Sequence, residues 1–445
     1  MNDSFDPRSY GAMADGHSKD TAAVQAAIDA AAAQGGTVRL AGGTFVCGTL
    51  YLKSNVALEI TNSATLLASP DIADYGIDTH HNRYRNEPEL DRCFLFAQDA
   101  ENVTICGSGV IDGNAAAFPN AGSIYRPMLL RVLRCRNVRV QNLRLLNAAA
   151  WTTAFLDSDF IWATDLHIEN HRNYNGDGLD FDGCRHVWVR GCYIDGTDDN
   201  LCLQSSGLPV QDVHISDCAF TSVCAGIRIG LKSIGEISGV VISNCTMRNI
   251  WREGIKLECT EGGSITDILV ENVTMHNVRR PIFAILNNRY RPDDLGSSIE
   301  LDHIPPIGTM ARLRFVGITA VDDEGMAHAQ RRFDNDIMGE PRFGGCRFDA
   351  NAAHPMQDVT IRDFSYTAIG GVRLADLPAA PYPVVPDRLQ APTAPGSENY
   401  YPDWSRTTHL DARNVRGLTL ENLHFNTLHP DERPKMLTEG PTVML

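Results

Sequence analysis

Short runs in which apolar and polar residues alternate recur along this chain, and each opens on a residue suited to a turn. They are Asn102-VTICG, Asn137-VRVQN, His186-VWVRG, Asp212-VHISD, Gly239-VVISN, Asp267-ILVEN and Asp358-VTIRD. From His186 to Asp267 they return at intervals of 26, 27 and 28 residues. Alternation with a period of two predicts strands, and a repeat in the twenties predicts a solenoid. No helical pattern separates the strands, so the expected fold is all-β: a single-domain right-handed parallel β-helix over residues 1–445. A second set, Gly178-LDFDG, Asn200-LCLQS, Gly226-IRIGL, Gly254-IKLEC and Pro281-IFAIL, runs out of phase with the first. In it Leu201, Leu203, Ile227, Ile229, Ile255 and Leu257 share one parity and should point inward. Asp180, Asp182, Cys202, Gln204, Arg228, Lys256 and Glu258 share the other and should face outward as a flat binding wall.

Three segments break the rhythm. Residues 19–34 read as a helix, with Asp20 or Thr21 as N-cap and Gly35-Gly36 as the stop, placed to cover the open end of the solenoid. Residues from about 288 to 312 read as an insertion. Residues 377–404 carry seven prolines and read as an ordered wrap or lid, with a strand, Gly417-LTLENLHF, beyond them.

Composition narrows the classes of partner. Apolar residues make up 43% of the chain and charged residues 21%, which fits a folded protein with a sizeable core. A net charge of −16 repels phosphate at long range, so neither a nucleic acid nor an anionic membrane is expected as partner. No stretch reaches the roughly 18 apolar residues of a membrane span. The opening Met1-Asn-Asp-Ser-Phe-Asp-Pro has no basic or apolar leader region, which leads to an expectation of cytoplasmic residence. Nothing signals an oligomeric state. Among the twelve cysteines, Cys192, Cys218 and Cys245 close the similar segments VWVRGC, VHISDC and VVISNC. They are expected to stack as buried thiols; disulfides and metal ligation are the alternatives, and no CxxC pair favours zinc.

Two acidic clusters carry the candidate chemistry. Asn175-Gly-Asp177-Gly precedes one strand of the second set, and Asp198-Asp199 precedes the next. Parallel strands lie about 4.8 Å apart, so residues one coil apart become neighbours. Three carboxylates that converge cannot all ionise easily, so one should keep its proton beside others that have lost theirs. Cleavage of a glycosidic bond needs that division: an acid for the leaving oxygen and a base for the attacking water. For each residue alone the turn-forming role is the favoured reading, by about two to one. Together, adjacent aspartates opposite an N-x-D exceed what turns require.

The span NGDGLDFDGCRHVWVRGCYIDGTDDNLCLQS resembles the centre of glycoside hydrolase family 28, the polygalacturonases and rhamnogalacturonan hydrolases, with N-x-D and D-D on successive coils. The likeness extends to Asp6-PRSYGAMADGHSKDTAAVQAAIDAA and to Arg126-PMLL with NAAAWTTAF. It implies an inverting hydrolase of α-linked, pectin-like oligosaccharides, without cofactor or metal, in which Asp198 is the general acid, Asp177 and Asp199 hold and deprotonate water, and Asn175 binds substrate. The departures are specific. Cys224-Ala225-Gly226 stands where the family has G-H-G, and Lys256-Leu257-Glu258 where it has R-I-K. In polygalacturonases that basic pair grips the substrate carboxylate, so Glu258 argues against plain polygalacturonate as substrate. Arg228 could restore a cation there or simply pair with Glu258.

Lesser candidates are Tyr290, flanked by Arg289 and Arg291, for sugar binding, and Trp151 and His171, for which structural roles are the expectation. His80-His81 lacks a third ligand. The interrupted regions suggest a blocked cleft and exo-action. Two rivals remain: a calcium-dependent β-helix lyase, and a carbohydrate-binding solenoid without activity.

Overall fold

The computed structural model describes residues 3–79, 92–120, 126–289, 303–328, 344–350, 352–377, 405–439 and 442–444. These fall into two compact units, Met1–Asn200 and Leu201–Leu445. Every strand pairing recorded among the described residues is parallel within each unit.

In the first unit the strands stack in three columns. One runs through Cys93–Gln98, Met128–Leu133, Thr153–Leu156 and Leu179–Asp182. The next holds Glu101–Gly107, Arg136–Gln141, Asp159–Thr164 and Arg185–Arg190, and the third Val110–Asp112, Arg144–Leu146, His167–Asn170 and Tyr193–Gly196. One strand from each column makes a coil. Val103, Val138, Ile161 and Val187 stack in register and are buried, so each coil covers the apolar edge of its neighbour.

The residue that opens each repeat explains why the chain turns there. Asn102, Asn137, His186, Asp212, Gly239, Asp267 and Asp358 all have φ between 53° and 65°. That left-handed conformation is open to glycine and tolerated by Asn, Asp and His. Asn137 and Asn102 also donate side-chain hydrogen bonds to Asn102 and Asn55, at 2.6 and 2.8 Å, which ties successive corners together.

The helix spans Thr21–Ala32 with Asp20 as N-cap. The Asp20 carboxylate accepts from the backbone N–H groups of Met13 and Ala14 rather than from the helix. Val24, Ala27, Ile28 and Ala31 form its buried stripe, set against the strands Gly36–Leu40 and Leu50–Leu52.

In the second unit the strands lengthen to Thr246–Cys259, Ser264–Leu286, Thr309–Val321, Met356–Gly370 and Val415–His429, and the pairing of the first two shifts register between Ile250 and Glu253. Ile227, Ile229, Ile255 and Leu257 point inward and are buried, as expected. The opposite parity corrects the expectation of an open wall. Asp180 and Asp182 in the first unit, and Cys202, Gln204, Arg228, Lys256 and Glu258 in the second, are all buried. Parity decides which face of a strand a side chain takes; whether that face is covered depends on other parts of the chain.

All twelve cysteines are free. Cys218 and Cys245 sit side by side and buried, and their mutual hydrogen bond, with burial, pushes the Cys245 thiol well up. The insertion expected over 288–312 falls mostly on residues outside those described, and the strand resumes at Thr309, inside its expected bound. The proline-rich segment expected over 377–404 lies, apart from Leu377, outside the described residues. No helix among the described residues is long and apolar enough to cross a membrane.

Candidate active site

The first unit brings Asn175, Asp177, Asp198 and Asp199 onto neighbouring coils. The N-G-D-G segment is clamped from both sides. Thr152 N–H donates to the Asp177 carbonyl at 2.9 Å and Thr153 N–H to the Gly178 carbonyl at 3.2 Å. On the other side Gly178 N–H donates to the Asp199 carbonyl at 3.1 Å and Leu179 N–H to the Asn200 carbonyl at 2.9 Å.

Both glycines of this segment are needed for contact. A Cβ on Gly176 would lie 2.2 Å from Thr197 Oγ1, and one on Gly178 would lie 2.3 Å from the Asn200 carbonyl oxygen. No side chain fits in either gap, so only glycine lets the two coils meet this closely. The consequence is chemical: carboxylate oxygens of Asp177 and Asp199 lie within 4.8 Å of each other, and so do those of Asp198 and Asp199. Asp177 and Asp199 are buried, while Asp198 is half-buried and accepts from the Asp199 backbone N–H at 2.9 Å. Two acceptors that share one water through ordinary hydrogen bonds stand about 4.5 Å apart. The Asp177–Asp199 spacing therefore suits a single water held between them. It also suits two carboxylates on one cation.

Three residues around this segment escaped the sequence reading as functional candidates. Arg126, itself buried, donates from Nη2 to Asn175 Oδ1 at 2.8 Å and from Nη1 to the Tyr174 carbonyl at 2.7 Å and the Ala149 carbonyl at 3.4 Å. The Thr197 hydroxyl donates to the Asn173 carbonyl at 2.6 Å and accepts from Gly176 N–H at 3.1 Å. Asn173 donates to the Ala115 and Ala149 carbonyls, both at 3.2 Å. For two of them the sequence signal was position: Arg126 opens the RPMLL run that resembles family 28, and Thr197 immediately precedes Asp198.

His171 pairs with Asp195 at 3.0 Å. Trp151 is buried with Cys93, Met128, Leu133 and Leu156, a structural role. Tyr290, His80 and His81 lie outside the described residues.

In the second unit Arg228 pairs with Glu258 at 2.8 Å, and Lys256 lies 3.5 Å from both Glu258 and Glu253. Glu253 also meets Arg252 at 3.4 Å and Arg280 at 3.1 Å. The Arg228–Glu258 ion pair is present in the structure. Ala225, at the family's histidine position, is buried.

A sequence profile for the Glycosyl hydrolases family 28 matches residues 42–298. A probable polygalacturonase of Vitis vinifera is 26% identical over 262 residues, 52% of each chain, so this chain spans about half the length of that curated relative. A hyperthermoactive exopolygalacturonase of Thermotoga maritima superposes with a TM-score of 0.65 at 20% identity, over 83% of this chain and 88% of that one. A family 28 exopolygalacturonase of Yersinia enterocolitica gives 0.70 at 16% identity, over 100% of this chain and 78% of the other. Both likenesses are of fold, the parallel β-helix. With a profile that covers more than half of it, the chain belongs to glycosyl hydrolases family 28.

Proposed function

We propose that this protein hydrolyses an α-linked glycosidic bond in a pectic oligosaccharide with inversion of configuration. Asp198 donates a proton to the leaving oxygen, while Asp177 and Asp199 hold and deprotonate the attacking water. The observation that carries this reading is the sub-4.8 Å approach of the Asp177 and Asp199 carboxylates beside a half-buried Asp198. The family assignment supports the same division of roles, and Asn175 is the substrate-binding member of the segment.

The preferred substrate in this proposal is not plain polygalacturonate but an oligosaccharide with a neutral sugar beside the cleaved bond. The support is Glu258: the cations nearest to it, Arg228 and Lys256, are engaged with its carboxylate. A uronate would have to compete with that buried partner. Exo-action belongs to the proposal too, and the names of the two solved relatives point the same way.

One incubation tests these statements together. The protein is mixed with a panel of pectic oligosaccharides, products are sized by mass spectrometry, and the first anomer released is read by NMR. Saturated monosaccharides or disaccharides with inverted configuration are expected. A retained anomer overturns the roles, an unsaturated product means a lyase, and polygalacturonate as the best substrate removes the specificity claim. Absence of turnover across the panel, unchanged by Asp198→Asn, favours a binding solenoid.

A further inference from the structure

We infer that Arg126 is a positioning residue for catalysis: from two coils away it fixes the orientation of the Asn175 amide and, through it, the segment that carries Asp177. The inference rests on the active-site reading above and adds a residue to which that reading gives no role.

Arg126 lies just before the strand Met128–Leu133, which pairs with Thr153–Leu156, which in turn pairs with Leu179–Asp182. Its guanidinium therefore passes the intervening coil, touching the Ala149 carbonyl at 3.4 Å, and ends on Tyr174 and Asn175 of the coil beyond. Two coil spacings come to about 9.6 Å, close to the full reach of an extended arginine. Lysine is shorter, and its single ammonium cannot present two parallel donors to a carbonyl and an amide oxygen. The buried guanidinium makes charge-assisted bonds at 2.7 and 2.8 Å, the strong kind.

Two consequences follow at the site. Arg126 has no acceptor, so the Asn175 atom facing it must be Oδ1, and the amide must turn its Nδ2 donors the other way. The orientation of a side chain that is ambiguous by shape is thereby fixed by charge. Asn175 also sits at φ 55°, a conformation that costs energy unless its surroundings impose it. Bonds from one cation to the Tyr174 carbonyl and the Asn175 side chain bracket the peptide that must adopt it. Asp177 follows two residues later, its own carbonyl held by Thr152 N–H at 2.9 Å. Loss of Arg126 removes the bonds to the Tyr174 carbonyl and the Asn175 amide, while Tyr174 N–H stays on the Asn120 carbonyl at 3.0 Å and Gly176 N–H on Thr197 at 3.1 Å, so the Asn175 side chain and the approach to Asp177 loosen without unfolding the coil.

A structural role alone would show in stability and would be additive with changes at Asn175. The test is a cycle of Arg126→Ala, Asn175→Ala and the double variant, with Arg126→Lys as the conservative change, assayed on the best wild-type oligosaccharide. Misplacement of a reacting group by about 1 Å is enough to lower turnover by about 10²-fold. That loss is expected in kcat for Arg126→Ala, together with a rise in KM because Asn175 binds substrate, with only slight recovery in Arg126→Lys and partial recovery of Arg126→Ala on adding guanidinium ion. In the Asn175→Ala background Arg126→Ala should cost less than about threefold further. Full additivity, or a loss confined to KM, overturns the inference. Crystal structures of wild type and Arg126→Ala provide a readout independent of turnover. Asn175 is expected to leave its left-handed conformation or flip its amide in the variant. An unchanged Asn175 overturns the positioning role even if the protein hydrolyses nothing on the panel, whereas a moved Asn175 in an inactive wild type leaves the positioning geometry standing and removes the hydrolase reading instead.

Discussion

The acids of the two units are handled in opposite ways. In the first, Asp177, Asp198 and Asp199 are brought against one another by glycines that let adjacent coils touch. In the second, Glu258 lies between Arg228 and Lys256, and Glu253 among Arg252, Lys256 and Arg280. Three carboxylates gathered in one place mark the first cluster as a candidate for acid–base work. Opposite charges in a buried ladder cancel one another and make it inert. In the second unit Arg228 stacks in register on Lys256, so the acids there are set between cations of neighbouring strands.

Four substitutions would break or sharpen this contrast. The largest effect is expected from Asp198→Asn, which should lower turnover by about 10³-fold, since a positioned proton donor contributes roughly 10²–10⁴. Its denaturation midpoint should stay near that of wild type, because the residue is half-buried; a variant that keeps its rate would end the contrast. Glu258→Gln should instead act on stability. It leaves two buried cations beside a neutral amide, and breaking such a buried network costs about 3–5 kcal/mol, read by urea unfolding. A cost under about 1 kcal/mol would mean that the ladder is not the balanced element described, since that is the range of an exposed pair.

Asp322 is an acid of the second unit that departs from the paired pattern. Burial raises it to about 7, against the hydrogen bond from the Tyr366 hydroxyl at 3.2 Å. In the unfolded chain the same group ionises near 4. As pH rises from about 4 to 7 the unfolded state releases this proton first, so stability falls across that window and levels off above it. Asp322→Asn should remove that slope and leave the variant more stable at pH 8, by on the order of 3 kcal/mol; denaturation at pH 5 and pH 8 checks it. Parallel slopes for variant and wild type would show that Asp322 titrates normally. The smallest change in free energy is expected from Gly178→Ala, which must push the Asn200 carbonyl away from a contact of 2.3 Å. Overpacking of this kind costs about 1–3 kcal/mol, and melting should record it together with lost turnover. If turnover survives, the close approach of the coils is not what builds the site.

Much of this was legible in the sequence. The coil repeat showed because left-handed corners accept few residue types, and Asn, Asp, Gly and His mark them at regular distances. The inward parity of Ile227, Ile229, Ile255 and Leu257 showed because strand geometry is local. The pairing of the N-x-D and D-D segments followed from the same repeat. The expectation of an open binding wall failed for a different reason: strand parity fixes the face a side chain takes but not its accessibility, and Cys202, Gln204, Arg228, Lys256 and Glu258 are buried.

What the sequence determined by itself, then, is the period of the coil, the face each residue takes and the identity of the acids, because all three depend on neighbours within a few positions. The tertiary structure decided how closely the carboxylates approach, which cations Glu258 meets and that Arg126 reaches Asn175 from two coils away. Those outcomes depend on how loops set one coil against the next over tens of residues, and no local pattern encodes that distance.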